Sequence, residues 1–387
     1  MQRLFFYILI LTFLTFATKA NNVLSPSAKI SLLTCSPGVD AYSLFGHSAL
    51  RIVDTVLKID KVYNYGTFSF NTPNFYWKFF QGKLDYQLSV SSYSHFLKWY
   101  EDEQRAVAEQ VLNLTEIERQ KVYNYLEWNF LPENRYYRYE FFYDNCATRI
   151  RDIFLADSIF GNRVVFPKNE TTQSFRDMIQ PYLKNSQWVG MGLNLILGYR
   201  ADKVADYMEV MFLPDYMAQA FENATILHNG SYDPFLTNTF IVLPAIIDEP
   251  ENFFLYQPYF VFSMLILLVL TAAIWGWMSK RRVLFFDYLL LTISGLVGVL
   301  IILLWSATEH RLTVWNWNLL WFFPLNIFII FLMRKKSLTR FHYIYFVFTN
   351  AMLISRFFIP QGYDLGLVLL SFAYILHAAS SIRSYSK

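Results

Sequence analysis

From Pro258 to its end the chain is almost continuously apolar, and this run limits the possible folds more than any other feature. A bilayer core offers no water to backbone N–H and C=O groups, so only helices or closed barrels cross it. At ~20 residues per spanning helix, the run divides into five spans, 258–278, 284–304, 317–333, 341–359 and 365–382. Basic clusters follow the first (Lys280, Arg281, Arg282), third (Arg334, Lys335, Lys336, Arg340) and fifth (Arg383, Lys387), whereas the loops after the second and fourth are much less basic. The positive-inside rule then places the C-terminus in the cytoplasm and the residues before Pro258 across the membrane. Arg356, near the outward end of the fourth span, is placed to snorkel.

The other end of the chain demands the same orientation. Arg3, the apolar run Leu4–Ala17 and the small residues Thr18 and Ala20 have the layout of a secretory signal, an uncleaved anchor being the alternative. The expected organisation is a signal peptide over 1–20, an exported domain over 21–257 and a five-helix membrane domain over 258–387. The exported part carries a net charge of −7 and the membrane part +8. That balance gives no reason to expect nucleic acid as a partner.

The exported part reads as α+β. Lys29–Cys35 has the aliphatic pattern of a strand ended by Ser36, Pro37 and Gly38; residues 45–53 and 61–68 supply two more, and short connections predict an antiparallel meander. A helix is expected from Ser92 or Ser94 to about Leu112, and a second behind the capping box Thr115/Glu118. Residues 135–142 alternate like a strand. Residues 186–198 are too short to span and should pack against, or dip toward, the outer leaflet; Gly190 and Gly192 lack the third glycine of a nucleotide loop. Glu209–Pro214 should close a helix, and 223–250 should be a linker.

The chemistry points to Cys146, one of two cysteines. Behind the N-capping residues Asp144 and Asn145 it opens a helix whose Ile150, Ile153 and Phe154 form an apolar face, and a helix N-terminus favours the reactive thiolate. A nucleophile needs a base and a group that orients it. His47, on a patterned strand, is the candidate base, and Asn64 on the neighbouring strand can hold its ring. The plainer reading of His47 is a core histidine bonded to a backbone carbonyl. Ser48 and Arg51, beside it on the strand, are candidate substrate contacts. Cys35 reads as structural, and a Cys35–Cys146 disulfide is the alternative expected of an oxidising compartment. No metal-ligand spacing is present, and no cofactor is expected. In the membrane part, Trp305, Trp315, Trp317 and Trp321 suit an interfacial belt, while Glu309, His310, Arg311, Asn316 and Asn318 are candidates for binding headgroups or protein substrate.

Four ordered motifs carry a resemblance: Thr34-Cys35-Ser36-Pro37-Gly38; Phe45-Gly46-His47-Ser48-Ala49-Leu50-Arg51-Ile52; Tyr63-Asn64-Tyr65-Gly66; and Pro132-Glu133-Asn134-Arg135 with Tyr143 to Arg149. With Glu309-His310, Asn316 to Trp321 and Pro324, the chain resembles the Lnb-type lipoprotein N-acyltransferases over nearly its whole mature length. The histidine-then-cysteine order is similar to circularly permuted NlpC/papain-like folds. The resemblance implies a bacterial inner-membrane enzyme with a periplasmic N-terminal domain. It would move an acyl chain from a phospholipid, through a Cys146 thioester, to the α-amine of a diacylated lipoprotein, with His47 moving protons and backbone N–H groups at the helix start holding the oxyanion. The same dyad also serves a phospholipase or a cell-wall amidase, and a disulfide-bonded membrane sensor is the non-catalytic reading.

Overall fold

The strand pattern of residues 29–67 is realised as three antiparallel strands, β1 (Lys29–Cys35), β2 (His47–Asp54) and β3 (Ile59–Thr67), in a computed structural model. It describes residues 23–161, 163–245, 254–279 and 284–328, with shorter stretches between 358 and 376. Helix α1 (Phe75–Gln81) follows, then β4 (Asp85–Ser92), α2 (Tyr93–Asp102), β5 (Val107–Leu112), α3 (Glu116–Asn129), β6 (Tyr136–Arg138) and α4 (Cys146–Leu155). The chain continues with β7 (Val164–Val165), α5 (Phe175–Ile179), α6 (Gln187–Ile196), α7 (Pro214–Glu222), β8 (Thr225–His228), β9 (Ser231–Pro234), β10 (Leu236–Leu243), α8 (Pro258–Ser279) and α9 (Leu284–Ser306). The main sheet has seven strands in the order β10-β5-β1-β2-β3-β4-β6; β7, β8 and β9 form a small second one.

Strand alternation sorts the core into two layers. Ile30, Leu32, Leu50, Ile52, Tyr63 and Tyr65 pack beneath α3 and α4 with Val122, Leu126, Ile150 and Phe154. Leu33, Cys35, Ala49 and Val62 face the other way, onto Phe96 and Tyr100 of α2. Burying each large apolar side chain contributes about 1.5–3 kcal/mol, so these layers hold β2 and β3 rigidly at the centre of the sheet.

Four local expectations are corrected. The helix expected to reach Leu112 stops at Asp102, because Gln104 turns into positive φ (56°) and Val107–Leu112 then enters the sheet between β1 and β10. The strand expected over 135–142 keeps only Tyr136–Arg138 before a turn closes through the Glu140/Asp144 bridge. Pro214 starts α7 rather than ending a helix, the preceding Glu209–Phe212 being a 3-10 turn. Residues 223–250 are not a bare linker: they contain β8, β9 and β10, and His228 bonds the buried Glu118 at 3.1 Å. The Thr115/Glu118 capping box forms as expected.

The C-terminal region is helical. Among the described residues two helices, covering Pro258–Gly276 and Tyr288–Ser306, are long and apolar enough to cross a membrane. Leu267, Leu268 and Ile274 of α8 are exposed, a surface that water would penalise and acyl chains would not. The third expected span opens with a 3-10 turn, Trp317–Leu320. The signal segment, the basic clusters at 280–282 and 334–340, Arg356, His342, His377 and nearly all of the fourth span lie outside the described residues.

The two regions are bolted together by α6, whose apolar residues meet helices of the membrane part and not only a leaflet. Met191 and Leu195 pack on the cluster of Val269, Leu290 and Phe322. The N–H of Gly198 donates to the Leu312 carbonyl at 2.8 Å and that of Tyr199 to Trp315 at 3.1 Å.

Candidate active site

Helix α4 starts at Cys146 because Asn145 caps it. Its Oδ1 accepts from the N–H groups of Ala147 and Thr148, both at 2.9 Å, and Thr148 Oγ1 accepts from the Asn145 N–H at 2.7 Å. The Asn145 amide in turn donates to the carbonyls of Phe141 (2.7 Å) and Phe212 (2.8 Å), which fixes the cap to the core. Of the two N-capping candidates, Asp144 instead pairs with Arg149, at 2.5 and 2.8 Å.

Two glycines shape the strands around the site. Gly46, at φ 75°, precedes β2 where a Cβ would stand 2.8 Å from the Cys35 carbonyl oxygen. Gly66, at φ 83°, lies in the irregularity between Asn64 and Thr67 on β3, where a Cβ would sit 3.7 Å from Cys146 Cβ. A side chain at either position is disfavoured by backbone conformation, and at Gly46 by space as well.

Cys146, His47 and Asn64 are brought together. His47 Nε2 is hydrogen-bonded to Asn64 Oδ1, so the other ring nitrogen serves the sulfur, to which His47 is also hydrogen-bonded. Burial works to raise the Cys146 pKa, but the His47 charge, the His47 hydrogen bond and the N–H groups of Ser48 and Ala147 outweigh it, and the thiol lies below its ordinary value. Burial likewise works to lower the His47 pKa, and the Cys146 charge with the bonds to Cys146 and Asn64 reverses it. Opposite shifts on two partnered groups are the direction in which a neighbouring imidazole activates a thiol.

Cys35 is the contrast. It lies opposite His47 across β1 and β2, is 1 % exposed, and burial pushes its pKa up to about 12. Both cysteines are free thiols, which removes the disulfide alternative. Iodoacetamide should therefore label one thiol, Cys146, with a pH midpoint below the ~8.5 of an ordinary cysteine. His47→Ala should move that midpoint upward. Equal labelling of Cys35, or no labelling before reduction, would contradict the assignment.

The remaining candidates lie elsewhere. Ser48 contributes its backbone N–H, its side chain being buried. Arg51 pairs with Asp60 (2.8 Å) and Glu109 (3.0 Å) and stacks on Tyr93, away from the thiol. Asn316 and Asn318 are buried and donate to the last carbonyls of α6: Asn316 to Leu195 and Ile196, Asn318 to Asn194 and Leu195. Their geometry joins the two regions and does not face the dyad. His310 Nε2 lies 3.1 Å from the carbonyls of Phe79 and Phe80, Glu309 is 3.9 Å from Lys83, and the exposed Arg311 is 3.9 Å from Glu140. Among the described residues no cluster could hold a metal ion.

One neighbour escaped the sequence. Tyr137 is buried, its hydroxyl has no hydrogen-bond partner, and that oxygen lies 3.8 Å from the Cβ position built on Gly66. Arg149, held by Asp144, stacks over the Tyr137 ring at 3.9 Å. Arg135–Phe142 alternates in sequence, but an orphaned hydroxyl beside a thiol is visible only in three dimensions.

Residues 16–172 match the family model of the Lnb N-terminal periplasmic domain, and residues 248–387 match that of the Lnb transmembrane domain. No curated protein and no solved structure matches the chain. The dyad lies inside the first match and the two apolar helices inside the second. With both parts present in that order, the chain belongs to the Lnb family of membrane proteins, a periplasmic N-terminal domain joined to a transmembrane domain.

Proposed function

We propose that the protein is a lipoprotein N-acyltransferase. The observation that carries this reading is a cysteine–histidine–asparagine constellation at a helix start, in a chain whose C-terminal part is a membrane domain. Membership in a family of lipoprotein-processing membrane proteins supports it. Its histidine strand precedes its cysteine helix, the order of a circularly permuted NlpC/papain-like fold, and the membrane part is read as five spans.

The Cys146 thiolate attacks the carbonyl carbon of a phospholipid ester. A C–S bond forms, the ester C–O bond breaks, and the lysophospholipid alkoxide leaves with the proton held on His47. The free α-amine of a diacylglyceryl-cysteine then attacks the thioester. An N–C bond forms, the C–S bond breaks, the amine proton passes to His47, and the thiolate–imidazolium pair is restored. Asn64 holds the imidazole in register throughout.

The oxyanion needs donors. Asn145 Oδ1 already takes the N–H groups of Ala147 and Thr148, which leaves the Cys146 N–H at the helix start and, beside it, the unpartnered Tyr137 hydroxyl. Tyr137→Phe should lower kcat about 10²-fold while leaving the pH midpoint of thiol alkylation in place. A loss below about threefold would remove Tyr137 from the oxyanion site.

The test is conversion of diacylated to triacylated lipoprotein in a strain lacking that step, read by mass spectrometry of the N-terminal lipopeptide. Wild-type chain should restore the N-acyl group. Release of free fatty acid without N-acylation would identify a phospholipase using the same dyad.

A further inference from the structure

Helix α1 presents its aromatic residues to the outside. Phe70, Tyr76, Trp77 and Phe79 are exposed at 63, 82, 59 and 53 % respectively, whereas Phe75 on the inner side is 9 % exposed. Four large aromatics bared within ten residues form a patch that a water-facing surface rarely carries.

The position of α1 identifies what covers it. Its C-terminal end is joined to the loop that follows α9: the Glu309 N–H donates to the Gln81 carbonyl at 2.8 Å, and His310 bonds the carbonyls of Phe79 and Phe80. Glu309 lies three residues beyond Ser306, where the apolar span Tyr288–Ser306 ends. The helix is therefore anchored where the span leaves the hydrocarbon. Trp315 and Trp317, also exposed, belong to the same loop. Lys78, between Trp77 and Phe79, suits anionic headgroups.

We propose that α1 and Phe70 dip into the headgroup layer of the membrane, so that the exported domain contacts the lipid surface directly and not only through its spans. The inner side of this segment continues ring to ring toward the nucleophile. Phe75 lies 5.8 Å from Phe68, Phe68 5.3 Å from Tyr86, and Tyr86 4.6 Å from Tyr139, centroid to centroid. The edge of Tyr139 is 3.4 Å from the Cβ position built on Gly66, beside Cys146. An apolar wall thus connects the lipid surface to the thiol. The membrane contact rests on the spans; its use by an acyl chain rests on the acyltransferase reading.

The test uses the full chain in nanodiscs of phosphatidylethanolamine and phosphatidylglycerol. In a Cys35→Ala/Cys146→Ser background, Tyr76→Cys and, separately, Trp77→Cys carry an environment-sensitive nitrobenzoxadiazole label. Val56→Cys, in the exposed turn at the opposite end of β3 from α1, is the control. The labels at 76 and 77 should be blue-shifted and quenched at least twofold by doxyl-labelled lipid, with position 56 unchanged. Emission at 76 and 77 matching position 56 in both respects would overturn the proposal. Because the readout needs no acyl transfer, immersed labels together with failure of the wild-type chain to N-acylate lipoprotein would retain the lipid contact and reject only the chemistry.

Discussion

Replacing Cys146 by Ala should abolish N-acylation, with a loss of at least about 10³-fold, while leaving the thermal unfolding midpoint of the full chain within a few degrees of wild type. The two expectations have different physical origins. The activity is lost because the attacking group is gone and no neighbouring thiol can substitute: Cys35 is buried beneath α2 with its pKa pushed up to about 12. The fold survives because α4 is held by other residues, through the Asn145 cap and the burial of Ala147, Ile150, Ile153 and Phe154. His47→Ala should lose nearly as much activity, since the members of such a pair act as a unit and their effects do not add. Retained N-acylation in the Cys146→Ala variant, with loss on Cys35→Ala, would mean that the wrong thiol has been assigned.

Arg176→Met should have the largest effect on stability. Arg176 is 4 % exposed and pairs with Asp202 at 2.8 and 3.1 Å, while its remaining donors reach Asn194 Oδ1 and the carbonyls of Leu197 and Gly198 at the end of α6. Asp202 in turn accepts from the N–H of Gly362 at 2.8 Å, which ties the membrane region into the same knot. Removing the arginine strands a buried carboxylate and the last carbonyls of a helix. Breaking such a pair from one side costs about 3–5 kcal/mol, or a fall of roughly 10 °C in the unfolding midpoint for a chain unit of this size. The double variant Arg176→Met/Asp202→Leu should recover part of the loss, because neither charge is then left alone. A shift below about 2 °C for the single variant would show that the knot contributes little.

The parts of this account that were legible in the sequence are those governed by local rules. Asp144-Asn145-Cys146 announces a helix start because capping is a matter of a few adjacent atoms, and the alternation in 29–67 announces strands because pleating repeats every two residues. The pairing of His47 with Asn64 followed from their places on neighbouring strands. Residues 107–112 misled because a short apolar run after a helix does not reveal whether it continues that helix or enters a sheet; the turn at Gln104 decides, and its positive φ carries no strong sequence signature. The edge strand Leu236–Leu243 was hidden for a similar reason: five of its eight residues are exposed, and its order comes from pairing with β5.

The polar residues of the loop after α9 were harder to read. Asn316 and Asn318 attract attention as polar groups beside a membrane, yet they face the carbonyls of α6 and join the two regions. Arg176 and Tyr137 drew none, because nothing local marks a lone arginine in a short helix or a tyrosine in a three-residue strand. Their significance depends on which groups they meet across the fold.

The central claim is that Cys146 carries the acyl group. Incubating the purified full chain with a phospholipid of defined chains, without lipoprotein acceptor, and digesting it for mass spectrometry tests this most directly. The expected result is one acyl chain in thioester linkage on the peptide containing Cys146, released by hydroxylamine and absent from the Cys146→Ala variant. An acyl group on another residue, or triacylated lipoprotein produced by that variant, would contradict it.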